Sequence, residues 1–223
     1  MSNNKLAKLL TDTLPSGRRR LFNPWRDRCA DDVPSNGPVA KLARLAAHLD
    51  CNPKFILCGE APSYRGCRHS GIAFTSEHLL LEEGKIPRMS PVSDRLTFKK
   101  GPYKEGSATT VWKELYRLGI QDRTVLWNAL QMHPHELGKP KSNRTPTPGE
   151  FEIGKPALQM LVKEFPSAIV VAVGRKAERS LKKMGIPYKP VRHPAYGGGP
   201  KFAQQLELLV RGAPRRTAVE QTA

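Results

Sequence analysis

The 223-residue chain has no stretch approaching the roughly 18 consecutive apolar residues that a membrane-spanning helix needs, and its opening "MSNNKLAKLLTD" lacks the long apolar run of a signal peptide. A soluble, cytoplasmic protein with no membrane partner is expected. Its four cysteines, Cys29, Cys51, Cys58 and Cys67, include no CxxC pair. Reduced thiols are therefore expected rather than a disulfide framework, and the spacings of Cys51, Cys58 and Cys67 fit no compact metal knuckle. Internal repeats and low-complexity tracts are absent. Acidic residues are scarce: 20 Asp and Glu stand against 37 Lys and Arg, a formal charge of +17. Such a field attracts polyanions, and nucleic acid is the first to consider.

The length suits one substantial core. Residues 1–36, with "SGRRRLFNPWRDRC" and "DDVPSNGP", mix Arg, Pro and aromatics without periodicity and are expected to form a basic arm laid over the body. From Pro38 onward, amphipathic segments alternate with short apolar runs. "PVAKLARLAAHLD", "SATTVWKELYRLGI", "TPGEFEIGKPALQMLVKEF", "RKAERSLKKMG" and "PKFAQQLELLV" read as helices, "KFILCG", "TVLWNAL" and "AIVVAVG" as strands, and "IPYKPVRHP" as a short extended segment. Unbroken apolar runs between amphipathic helices predict a three-layer α/β/α sandwich around a mainly parallel four-stranded sheet, over residues 37–212. Residues 213–223 read as a flexible tail.

In such a sheet the site lies beyond the carboxyl ends of the strands. The segments there are "GEAPSYRG", "NALQMHPH", "GRKAE" and "RHPAYGGG". "AVGRKAERS" lacks the Gly-Lys-Ser/Thr ending of a phosphate loop, which weakens a nucleotide-handling reading.

G-E-A-P, then F-T after a loop containing Ser-Gly, Asn at the end of the next strand, N-R-T-P-T-P-x-E, and H-P before small residues occur in this order over roughly residues 54–210. Together they resemble the uracil-DNA glycosylase superfamily, most closely the branch whose prokaryotic members usually carry an iron–sulfur cluster. The resemblance implies that Phe74 stacks on an extruded base, since a flipped pyrimidine needs a π-face. It places Asn128 where an amide reads uracil's N3–H and O4, and His193 where an imidazole N–H stabilises charge on the departing base. Gly59 and Ala61 belong to the turn whose backbone borders the uracil.

The water-positioning group is ambiguous. Where the best-known branch has Asp, this chain has Ala61. Glu60 inside the turn and Glu77, three residues after Phe74, are both candidates, with Glu60 slightly favoured; a third option is that no carboxylate serves. Arg65, Arg68, Arg192, Tyr196, Gly197 and Lys201 are the expected DNA contacts, with Tyr196 as a minor-groove wedge. Lys139, Lys141 and Arg144 would share that face, and Thr147 is a candidate helix N-cap. The cluster-binding relatives supply a cysteine just after the Asn strand, where this chain reads "NALQMHPH". No iron–sulfur cluster, metal or other cofactor is expected.

The resemblance implies a monofunctional, monomeric base-excision enzyme that flips uracil from single- or double-stranded DNA, releases free uracil and leaves an abasic site. The rival is a protein of the same fold that binds uracil or abasic DNA without turnover, or traps it covalently at His193.

Overall fold

A computed structural model describes residues 2–82, 86–89, 92 and 94–213. In chain order the elements are α1 (Asn3–Asp12), β1 (Leu21–Phe22), α2 (Pro38–His48), β2 (Phe55–Gly59), α3 (Cys67–Ser70), α4 (Glu77–Leu81), α5 (Gly106–Arg117), β3 (Thr124–Asn128), β4 (His133–Pro134), α6 (Pro148–Glu164), β5 (Ile169–Val173), α7 (Arg175–Met184), β6 (Lys189–Val191) and α8 (Gly199–Gly212). The central sheet runs β3-β2-β5-β6 and every pairing is parallel. β1 and β4 make a separate antiparallel ribbon.

Each central strand is apolar without a break because it is covered on both faces. Ile56, Cys58, Val125, Trp127, Val170 and Ala172 point to a core closed by Leu45, Leu158, Leu161 and Leu181 of α2, α6 and α7. Their neighbours Phe55, Leu57, Leu126, Val171 and Val173 point the other way, onto Val111, Trp112, Leu115, Phe202 and Leu206 of α5 and α8. That alternation produces the expected three-layer α/β/α sandwich.

The sheet edges are blunted by different means. β6 carries exposed Lys189 and Pro190, residues tolerated where a backbone N–H needs no partner. At the opposite edge, the Leu126 N–H of β3 donates to His48 Nε2 at 2.8 Å. With Nε2 accepting, the His48 proton sits on Nδ1. The ring is fully buried, and burial, aided by the Arg88 charge, pushes its pKa down to about 3.

The N-terminal segment departs from the expected arm. Leu6, Ala7 and Leu10 of α1, with Leu14, belong to the first core and pack α1 against α2 and α6. Further along, Asp32 accepts from the fully buried Lys41 of α2 at 2.6 Å and pairs with His69 of α3 at 2.5 Å. Asn36 Nδ2 donates to the His69 and Leu96 carbonyls. Apolar burial and a buried ionic network thus make these residues part of the domain. Of the expected tail, residues 214–223 lie outside the described residues.

Acid stability tests the edge contact. His48, and His133 with its pKa also lowered to about 3, stay neutral when folded, whereas unfolding returns both toward 6.5. The unfolded state therefore binds more protons below pH 6.5, and folding stability falls as pH drops from there toward 3, by up to about 1.4 kcal/mol per pH unit for each ring. Denaturant unfolding at pH 7.5, 6.5, 5.5 and 4.5 is expected to show this slope. His48→Gln, whose side-chain carbonyl still accepts from Leu126, is expected to remove roughly half of it.

Candidate active site

Because the four strands are parallel, their carboxyl ends open on one side and deliver four distant loops to one place. They enclose a cleft of about 1100 Å³, with Glu60, Phe74, Asn128, Lys176, His193 and Tyr196 among its lining residues. The three side chains assigned to base recognition and expulsion, Phe74, Asn128 and His193, are brought together there, and the Phe74 and His193 rings lie 6.4 Å apart.

Gly59 lies beneath two of them. It pairs with Asn128 in the β2–β3 register. A Cβ on Gly59 would stand 2.6 Å from both Asn128 Oδ1 and Phe74 Cζ, so only glycine lets the amide and the ring meet there. Phe74 has a φ of 50°, a left-handed conformation that costs a non-glycine residue about 1–2 kcal/mol. Asn128 is only 4% exposed, yet no group among the described residues hydrogen-bonds its side-chain amide. A buried amide with a free acceptor and free donors can read the edge of a ligand.

His193 is oriented by its own loop. The Ala195 N–H donates to His193 Nδ1 at 3.1 Å, which leaves the proton of the neutral ring on Nε2. Burial, followed by the charges of Arg192 and Lys176, lowers the His193 pKa, so the group offered to the cleft is a neutral N–H donor. Gly174 and Gly198 seat this loop: added Cβ atoms would lie 2.8 Å from His193 Cβ and 2.1 Å from its carbonyl oxygen. Tyr196 projects beside it, 99% exposed and with a φ of 53°.

The two candidate carboxylates separate. Glu60 lines the cleft, its Oε1 buried with no hydrogen-bond partner among the described residues and its Oε2 3.4 Å from Lys176 Nζ. Burial raises its pKa and Lys176 opposes the rise. Glu77 is excluded as the water-positioning group. Its side chain is fully buried; Oε1 accepts from Arg95 Nε and the Leu96 and Thr97 N–H groups, and Oε2 from Thr97 Oγ1 and the Tyr103 N–H. Burial works against the charge, but these donors together hold the carboxyl below its ordinary pKa. Glu77 fastens residues 95–103 to the start of α4.

Arg68 also departs from expectation. It is buried, donates to His133 Nδ1 at 2.9 Å, and stacks 3.9 Å from the Phe22 ring centre, so it braces the β1–β4 ribbon instead of facing DNA. Arg144 is held by Glu150 through two bonds of 2.6 and 2.7 Å, and Lys141 pairs with Asp31. Thr147 caps α6 in a full capping box with Glu150. Ala61, Arg65, Arg192 and Tyr196 line the cleft; Gly197 and Lys201 are exposed but are not among its lining residues.

Sequence reasoning missed Lys176 and Glu105, both in the cleft wall. Lys176 stood in "GRKAE", a strand-end segment, which was the available signal. Glu105, its pKa raised by burial, accepts from Ser107 Oγ at 2.8 Å and gave no such signal. All four cysteines are free thiols. Among the described residues, the ligand-type side chains that gather are Cys29, Asp32 and His69, where Lys41 already supplies the positive charge.

A parallel sheet covered on both faces, with a cleft at its carboxyl edge, defines an α/β protein whose strand-end loops line that cleft. The model of the "Uracil DNA glycosylase superfamily" matches residues 46–210, a span that takes in all four central strands and the cleft loops. The chain belongs to that superfamily, and by family is a DNA glycosylase, a hydrolase acting on DNA. No curated protein matches the sequence. Among solved structures, that of wild-type SMUG2 from Pedobacter heparinus is similar in fold, with a TM-score of 0.66 and 14% identity, covering 95% of this chain and 97% of that one.

The division of labour between the carboxylates is measurable as stability. Glu77→Gln puts an NH2 group against hydrogen-bond donors and is expected to cost about 2–4 kcal/mol in denaturant unfolding at pH 7. Glu60→Gln, which leaves no donors behind except a half-exposed lysine, is expected to change stability by less than about 1 kcal/mol.

Proposed function

We propose that the protein is a monofunctional uracil-DNA glycosylase. Deoxyuridine leaves the duplex and enters the cleft, where its base stacks on Phe74. Asn128 accepts from uracil N3–H and donates to O4. Cytosine presents the opposite pair at those positions, so a fixed amide orientation rejects it. As the N-glycosidic bond breaks, its electron pair moves onto the base, and the His193 Nε2–H stabilises the charge gathering at O2. Glu60 positions the water that adds hydroxide to C1′, while the remaining proton ends on the base. Free uracil and an abasic site are the products.

The convergence of Phe74, Asn128 and His193 around one cleft, with the Asn128 amide free of hydrogen bonds among the described residues, carries this reading. In this reading Arg65 and Arg192 meet phosphates, and Tyr196 fills the gap left by the base. A covalent trap at His193 is disfavoured by the Ala195 contact, since Nδ1 is occupied as an acceptor and Nε2 carries the proton. No metal or covalent lysine takes part.

The test is single-turnover release of free uracil from a uracil-containing oligonucleotide in the presence of chelator. Wild type is expected to release it, and Asn128→Asp, His193→Ala and Glu60→Gln are each expected to slow release by about 10²-fold. Tight binding without release, or rates within a few-fold of wild type in the first two variants, would overturn the assignment.

A further inference from the structure

Lys176 is the second residue of α7, directly after the turn at Gly174 on which His193 is seated. Its Nζ donates to Thr145 Oγ1 at 2.5 Å and lies 3.4 Å from Glu60 Oε2. One ammonium group thus ties together the turn after β2, the segment before α6 and the start of α7, all within the cleft wall.

We propose that Lys176 is a positioning residue that holds Glu60 as an anion and His193 as a neutral imidazole, the pair of charge states that base expulsion requires. The proposal rests on the function argued above. The two effects have one cause. A positive charge favours the ionised form of a nearby carboxyl and disfavours the protonated form of a nearby imidazole. For Glu60 it counters burial, which alone pushes the carboxyl toward its uncharged form; for His193 it adds to burial and to Arg192.

The other charged groups facing the cleft are Arg65, Lys104, Glu105, Arg144, Arg175 and Arg192. Arg144 is spent on Glu150, Arg65 donates to the Tyr64 hydroxyl, and Glu105 accepts from Ser107. Lys176 is the cation that forms an ion pair with Glu60. Its side chain is half exposed, so shortening it leaves the cores intact.

The experiment compares wild type, Lys176→Met and Lys176→Arg in two measurements. The first is the pH profile of single-turnover uracil release with DNA saturating. Lys176→Met is expected to move the acid limb up by about one pH unit, so that the rate loss grows toward a limit of about tenfold on the acid side of both limbs and stays within about twofold at pH 8.5. Lys176→Arg is expected to keep the wild-type profile. The second is a titration of the Glu60 carboxyl carbon by NMR in the DNA-free protein, with the resonance assigned through Glu60→Gln. Lys176→Met is expected to raise its midpoint by about the same one unit.

An unchanged Glu60 midpoint overturns the proposal. So does a loss of rate that is equal at every pH, or one confined to KM with a smaller salt dependence, since those mark a phosphate contact. Because the titration needs no substrate, a protein that releases no uracil would sink the proposed function while leaving the electrostatic role of Lys176 open to confirmation.

Discussion

The site depends on how closely the chain can approach itself at the end of β2. The parallel register sets Gly59 opposite Asn128, and the missing Cβ leaves space that the Asn128 amide and the Phe74 ring both occupy. Any side chain at Gly59 would separate them. Phe74 reaches that space through a left-handed backbone, and Tyr196 adopts a similar one on the far wall. Strained residues persist where their surroundings over-determine them, and for Phe74 these are a buried core and a strand end. Gly174 and Gly198 repeat the device beneath His193. Aromatic, amide and imidazole are therefore held by backbone packing, before any hydrogen bond is counted.

The sheet and its covering helices were legible because each strand is an unbroken apolar run and each long helix carries a regular apolar stripe. The three convergent residues were legible because they stand at strand ends within recognisable motifs. The carboxylates were not. Glu60 and Glu77 both flank that region of the sequence, and what separates them is the supply of donors. Residues 95–103, which have no helical or alternating pattern, fold back and offer Glu77 five hydrogen bonds. Among the described residues Glu60 is left with Lys176, 3.4 Å away. Donor supply of this kind is a tertiary property that motif position does not encode. Arg68 is the same lesson with the opposite charge: an arginine in a basic loop turns inward because Phe22 and His133, distant in sequence, accept it.

The N-terminal residues were misjudged for a related reason. "NKLAKLLTD" does carry an apolar stripe, but a single short helix with flanking arginines and prolines resembles an extension more than a core element. Its contribution becomes visible only once α2 and α6 offer a surface for Leu6 and Leu10. The Asp32, Lys41 and His69 network then fixes the path leading back from α1 to the body. A buried ion pair of this type gains little net stability over an apolar equivalent, yet breaking it strands a charge in the interior. It therefore specifies one path for the chain more than it strengthens the fold.

The excess of positive charge acts at two distances. Across the surface, a net charge of +17 draws a polyanion toward the protein. Inside the cleft, the same sign of potential keeps a carboxyl ionised and an imidazole uncharged, and it favours the negative charge that bond cleavage would place on a departing base. Attraction of the substrate and preparation of the reacting groups thus need no separate devices. The cost falls on the fold, which must bury cations such as Lys41 and Arg68 without leaving them unmatched. It meets that demand with Asp32, the Phe22 ring and the acceptor nitrogen of His133. None of these partners is among the residues that line the cleft, so the cations there are not the ones they neutralise.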